Sequence, residues 1–251
     1  MKQNKFVIIA TAYNKAKWIG FNVNSIKQQT YDNYLTVYGY DKSTDDTLEQ
    51  LYHHIGKDND NKFTIIFNQD QDSQMSNFFF CLNSLKKTGQ INPEDIIVEV
   101  DADDWLLHPF VLAYLNQVYQ DPNIWMTYGQ YIEYPSGKLG GHFNMHVVDG
   151  SQRNVPFAYS HLKTYKAWLL DKVPQEDLIN PETGKYWNIT ADFAMCMPMV
   201  EMSGKDRIFR IEEPIYVYNS GDESGSESKS RLNEQKRVEQ MIRNIKPKQK
   251  L

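Results

Sequence analysis

Ile96-Ile97-Val98-Glu99-Val100-Asp101-Ala102-Asp103-Asp104-Trp105-Leu106 is an apolar run that ends in three closely spaced aspartates. A short β-branched run bounded by polar residues reads as a buried strand. Carboxylates gathered at the mouth of such a strand repel one another, and a cation is the usual means of neutralising them. Oxygen ligands in small number suit Mg²⁺ or Mn²⁺, which keep several waters and take their remaining oxygens from a substrate diphosphate. A second reading stays open, in which Asp103 or Asp104 caps the helix expected from Pro109 or closes a local turn. The position directly after an apolar strand favours the cation.

The same rhythm extends toward the N-terminus. Phe6 to Ala10, Leu35 to Gly39 and Phe63 to Phe67 are further apolar runs. They alternate with amphipathic stretches at Trp18 to Gln29, Thr44 to Ile55 and Met75 to Lys87. In the last of these, Met75, Phe78, Leu82 and Leu85 recur at helical spacing. A β-α-β-α-β-α-β order predicts a mostly parallel sheet covered on both faces, with ligands at the carboxyl ends of its strands. Thr11-Ala12-Tyr13-Asn14, Tyr40 to Asp46 and Asp101 to Trp105 follow three of those strands. The second half is less regular. It predicts a helix from Pro109 to Tyr119, a strand at Trp125 to Tyr128 and a Gly-rich loop around Gly137 to Gly141. Helices are expected at Lys163 to Leu170, Thr190 to Met202 and Ser230 to Ile245. Strands are expected at Arg207 to Ile211 and Ile215 to Tyr218, and a mobile loop at Gly221 to Ser228.

The composition bounds the function. The chain has 251 residues, 41% hydrophobic, 24% charged and 13% aromatic, with a mean hydropathy of -0.62. This is a globular composition with room for a layered core. No apolar run approaches the roughly 20 residues of a membrane span, and Phe6 to Ala10 is too short for a signal peptide. A cytoplasmic protein is expected. Cys81 and Cys196 form no CxxC and read as buried apolar residues. The formal charge is -5. Residues 229–251 hold eight basic and two acidic residues, a local +6 that leaves -11 for the rest. Such a tail fits a phosphate backbone, an anionic membrane surface or simple solvation.

Three matches, in order, make the chain resemble the family 2 glycosyltransferases. Phe6 to Asn14 (FVIIATAYN) is similar to the family's opening strand and nucleotide-contacting turn. Ser25 to Thr47 (SIKQQTYDNYLTVYGYDKSTDDT) is similar to its long S…QTY…STD.T segment, and Ile96 to Leu106 to its Asp-x-Asp strand. The resemblance implies an α/β protein of GT-A fold: a Rossmann-like, mostly parallel sheet flanked by helices, with a small antiparallel addition in the C-terminal half. It implies a catalytic domain over 1–228, divided into a nucleotide-sugar-binding half (1–106) and an acceptor-binding half (107–228). A basic helix or tail follows at 229–251. The implied reaction is inverting transfer of a sugar from a UDP-sugar to a hydroxyl, with Mn²⁺ or Mg²⁺ on the diphosphate. The acceptor class is a glycan, a protein, a small molecule or a hydroxymethylated pyrimidine in viral DNA.

Carried over position by position, Asp41 would accept a hydrogen bond from a uracil imide, and Thr11 and Tyr13 would line the base and ribose. Asn14, Lys42 and Ala102 fall in the same nucleotide-sugar motifs. Asp101 would face the ribose or the diphosphate, and Asp103, with Asp101, would hold the metal. The chain departs from the family at Tyr40, where a first acid is usual, and at Ala191, the first of an acidic pair. It departs again at Asn219-Ser220-Gly221-Asp222, where relatives place an Arg and a His near the phosphates. The general base implied is Asp192; an acid in a first helical turn favoured by the dipole is the other reading. Asp171, Glu176 and Asp177 are weaker alternatives for the base. Tyr159 to Trp168 (YSHLKTYKAW) is similar to an HLRT[FY]K element of a viral and bacterial subset. There His161, Lys163 and Lys166 would meet phosphate or acceptor, or else the lysines form a solvated face. Lys138 to Asp149 is a candidate acceptor loop, and Gly221 to Ser228 a candidate lid. Two other classes stay in view: a non-catalytic nucleotide-sugar or glycan-binding module, and a nucleotidyltransferase. The latter usually carries a Gly-rich loop after the first strand, where this chain has Ala12-Tyr13-Asn14-Lys15-Ala16.

Overall fold

Alternation along β1 (Phe6–Ala12) sets the layers of the fold. Phe6, Ile8 and Ala10 enter one hydrophobic cluster, while Val7 and Ile9 enter another on the opposite face. Both faces are therefore covered, as a parallel sheet requires. The computed structural model describes residues 2–56, 61–68, 73–141, 152–221 and 229–251. All but Gly221 of the loop expected at Gly221 to Ser228, and most of the Lys138 to Asp149 segment, lie outside them.

β2 (Tyr34–Tyr40), β3 (Phe63–Phe67) and β4 (Ile96–Glu99) run parallel with β1. The intervening helices are α1 (Ile19–Lys27), α2 (Thr47–Ile55) and α3 (Gln74–Lys87). β2 and β4 lie on opposite sides of β1, so the strand order reverses there. Such a reversal opens a crevice at the strands' carboxyl ends. Gly39 lets α3 approach β2, since a Cβ there would meet Asn77 Oδ1 and Cys81 Sγ at 2.7 Å. Asn77 Nδ2 instead donates to the Gly39 carbonyl at 2.8 Å.

The second half extends this sheet with mixed directions. Its elements are β5 (Trp105–Leu106), α4 (Val111–Val118), β6 (Met126–Tyr134), β7 (Leu139–Gly140), β8 (Thr164–Lys166) and α5 (Ala167–Leu170). They are followed by α6 (Gln175–Leu178), the β9–β10 ribbon (Ile179–Asn180, Lys185–Tyr186), α7 (Ala191–Ser203), β11 (Ile208–Asn219) and α8 (Lys229–Arg243). The sheet order is β3-β2-β1-β4-β8-β6-β11-β5, with β7 paired to β6.

The expected helix from Lys163 to Leu170 is corrected: Thr164 to Lys166 is a strand, and only Ala167 to Leu170 is helical. The free edge of β4 decides this, because its backbone groups need partners. β8 fills the gap antiparallel to both β4 and β6. The Thr164 hydroxyl then meets Tyr119 Oη at 2.8 Å and Thr127 Oγ1 at 2.7 Å in the interior. Arg207 to Tyr218, expected as two strands, holds the single strand β11. Its register shifts between Arg210 and Tyr216, around Pro214, which cannot donate to the ladder.

α8 packs through Val238 and Ile242, both buried. A buried ion pair secures it: Arg153 Nε and Nη2 donate to Glu201 at 2.5 and 2.9 Å, and Nη1 donates to the Ile242 carbonyl at 2.6 Å. Glu201 also accepts from Lys248 N at 2.9 Å. No helix among the described residues is long and apolar enough to cross a membrane. Removing one partner of a buried pair leaves the other charge uncompensated. Arg153→Ala should therefore cost about 3–5 kcal/mol of stability, measured by urea unfolding; a loss below about 1 kcal/mol would count against this anchor.

Candidate active site

The crevice between β1 and β4 holds the acidic run. Asp101 to Asp104 forms a turn, with Asp104 N donating to the Asp101 carbonyl at 3.0 Å. Asn22 of α1, fully buried, clamps that turn by donating to the Asp101 and Asp104 carbonyls at 2.9 and 2.7 Å. Its own oxygen accepts from Tyr38 Oη at 2.6 Å. Each carboxylate has a separate partner. Gln74 Nε2 donates to Asp101 at 2.6 Å, and Lys15 Nζ to Asp103 at 2.7 Å. Tyr216 Oη and Asn219 N donate to the two oxygens of Asp104, each at 2.7 Å. Burial, with Asp101 and Asp103 close by, pushes Asp104 up to about 8, although Asn219 and Tyr216 act against it.

Asp101, Asp104 and His161 bring one ligand atom each within 4.8 Å of one another. The His161 ring stacks on Tyr216 (centroids 4.9 Å apart, interplanar angle 7°) and on Tyr218 (5.7 Å, 20°). Burial, then Lys163, lowers its pKa to about 3 against the opposing pull of Asp192. The imidazole is thus neutral and able to ligate a metal.

A cleft of about 390 Å³ opens beside this group, with Thr11, Asp101, His161, Lys163 and Asp192 among its walls. Lys163, with its side chain 4% exposed, lies 3.9 Å from Glu99 and 3.8 Å from Asp192. Burial disfavours its charge, but Asp192 and Glu99 outweigh burial and raise its pKa. Burial pushes Glu99 up to about 7, opposed by Lys163 and by the Tyr165 hydroxyl that donates to it at 2.5 Å. Alternation along β8 and the residue entering it sends Lys163 and Tyr165 to the Glu99 side. Lys166 goes elsewhere, to Glu94 at 3.3 Å and the Pro122 carbonyl at 3.2 Å. α7 starts after Thr190, which is left-handed (φ 57°) and gives no side-chain cap. Asp192 stands in its first turn with half of its side chain exposed.

The remaining sequence candidates divide. Thr11 lines the cleft. Asp41, directly after β2, is buried, its Oδ1 has no hydrogen-bond partner among the described residues, and burial raises its pKa. Tyr13 is half exposed and Lys42 exposed. Asn14 ties two loops, accepting from Thr44 N at 2.8 Å while its own N–H donates to Ser43 Oγ. Ala102 is buried in the core. Asp103, expected as a metal ligand, pairs with Lys15, and Asp104 stands with Asp101 and His161. Sequence reasoning gave no role to Glu99, although a carboxylate inside an apolar strand is a usable signal. It also passed over Lys15 and Tyr216, for which no sequence signal exists.

The model of the Glycosyl transferase family 2 matches residues 7–173, more than half of the chain. The chain belongs to that family. No curated protein matches it. S. aureus TarS 1-349 in complex with UDP-GlcNAc is similar in structure at 17% identity and a TM-score of 0.65, covering 95% of this chain and 66% of that one. The chain spans 65% of TarS 1-349 in a second crystal structure of that protein. A mannosyltransferase from Pyrobaculum calidifontis with GDP-Man and Mn²⁺ gives 0.60 at 19% identity, with coverage of 87% and 57%. Glucosyl-3-phosphoglycerate synthase from Mycobacterium tuberculosis with Mn²⁺, UDP and phosphoglyceric acid gives 0.63 at 12% identity, with coverage of 98% and 80%. These likenesses establish the GT-A fold.

Asn22 carries the clamp on the acidic turn. Asn22→Ala leaves the buried Asp104 carbonyl and the Tyr38 hydroxyl without this partner and removes one of the two donors to the Asp101 carbonyl, and should cost about 1–3 kcal/mol. Denaturant unfolding measures it, and an unchanged midpoint would contradict the clamp.

Proposed function

We propose that the protein is an inverting glycosyltransferase that moves a sugar from a UDP-sugar to an acceptor hydroxyl. The observation that carries this reading is the placement of Asp101, Asp104 and His161 beside the same cleft as Asp192. Two carboxylates and a neutral imidazole fit a divalent ion of the Mn²⁺ type, with Mg²⁺ served less well by the nitrogen. Asp101, Asp104 and His161 would hold it, and Asp103 would support the site through Lys15. Such an ion offsets negative charge on a leaving nucleoside diphosphate.

The chain's own groups do the rest. Asp41 offers its unpartnered buried oxygen to the imide of the base, while Thr11, Tyr13, Asn14, Lys42 and Ala102 shape the donor side. Asp192 accepts the proton of the acceptor hydroxyl, and Lys163 orients that carboxylate while balancing Glu99. The half up to residue 106 serves the donor and the half after it the acceptor. The cytoplasm is the compartment implied, since Cys81 and Cys196 are both free and buried.

A binding module on the same scaffold is the competing class; a buried acidic cluster together with a half-exposed acid in one cleft supports the enzyme. Asp192→Asn should lower transfer by about 10²–10⁴-fold, measured by UDP release from a UDP-sugar, and leave UDP binding unchanged. Full activity in that variant would remove Asp192 from the mechanism. EDTA should abolish turnover in the wild type, and turnover unaffected by EDTA would remove the metal.

A further inference from the structure

α8 reaches the cleft from the far end of the chain. Arg231 and Gln235, one helical turn apart on the same face, line it together with Asn188, Thr190 and Asp192. The helix is not loosely laid there. Glu201, on the same helix α7 that presents Asp192, holds Arg153, and Arg153 binds the Ile242 carbonyl of α8. Arg243 of α8 in turn donates to the Arg153 and Val155 carbonyls at 2.6 and 2.9 Å. These bonds hold α8 against α7, the helix that presents Asp192.

The charges inside the cleft sort themselves. Lys163 lies between Glu99 and Asp192, one cation against two carboxylates. Arg231 brings a second cation to the lining, on the α8 side. It belongs to an exposed residue, where a guanidinium exchanges partners at little cost. A guanidinium with a neighbouring carboxamide presents N–H donors in the arrangement that recognises phosphate or carboxylate.

We propose that Arg231 and Gln235 form the acceptor wall of the cleft and select acceptors that carry an anionic group, phosphate or carboxylate, near the hydroxyl to be glycosylated. This rests on the reading of Asp192 as the acceptor-side base. The test uses ligand-observed NMR affinities of glycerol, glycerol 3-phosphate and glycerate, each with and without UDP plus Mg²⁺. The wild type should bind one or both anions about 10-fold more tightly than glycerol, and the stronger of the two identifies the preferred group. Arg231→Gln should bring that ratio to within about 2-fold while UDP affinity and the melting temperature stay unchanged, and Arg231→Lys should keep part of it. Equal binding of the three probes to the wild type would overturn the proposal. So would an Arg231→Gln variant that keeps the preference, or one that loses UDP affinity, which would place the guanidinium on the donor. Failure of UDP to bind the wild type would instead sink the donor-site reading, and the UDP-free arm would still decide the wall.

Discussion

Four carboxylates, Glu99, Asp101, Asp103 and Asp104, crowd the carboxyl end of β4, and the elements around them are placed so that each has a partner. Lys15 comes from the β1–α1 loop, Gln74 from α3, Tyr216 and Asn219 from β11, and Lys163 from the segment entering β8. Asn22 of α1 holds the turn itself. Mutual repulsion at that point is the constraint, and convergence of five elements is the response. Burial and its acidic neighbours push the Asp104 pKa up to about 8. A buried acidic cluster of this kind is where a divalent ion gains most from binding.

The parallel half was legible because its signals are local. Apolar runs of four to six residues and helices of helical spacing give β1 to β4 and α1 to α3 with boundaries shifted by only a few residues. The second half obeys long-range demands. Tyr159 to Trp168 carries enough helix formers to read as a helix from Lys163, yet the open edge of β4 takes Thr164 to Lys166 as a strand. That single change separates Lys163, in the cleft, from Lys166, outside it. Asp103 and Asp104 are adjacent in sequence, and nothing local says which would turn to Lys15 and which to Tyr216. His161 was flagged for phosphate or acceptor; its place beside Asp101 and Asp104 depends on stacking against Tyr216, a residue more than fifty positions away.

The basic C-terminus also reads differently in three dimensions. Counted along the chain it is a +6 segment, suited to a polyanion. In the fold, Arg237 pairs with Glu182 and Glu234, Arg243 with Glu239, Lys248 with Asp177 and Lys250 with Asp206. Three of those pairs reach the acidic remainder of the chain, at Glu182, Asp177 and Asp206, and two stay within the tail, at Glu234 and Glu239. The tail is thus a structural part of the cleft.

The most direct measurement is calorimetric titration of Mn²⁺ into the protein with UDP present, in the wild type and in Asp101→Asn and Asp104→Asn. The account predicts metal binding that strengthens UDP binding reciprocally and is lost in both variants. UDP bound with equal affinity in EDTA, and unchanged in the two variants, would contradict it.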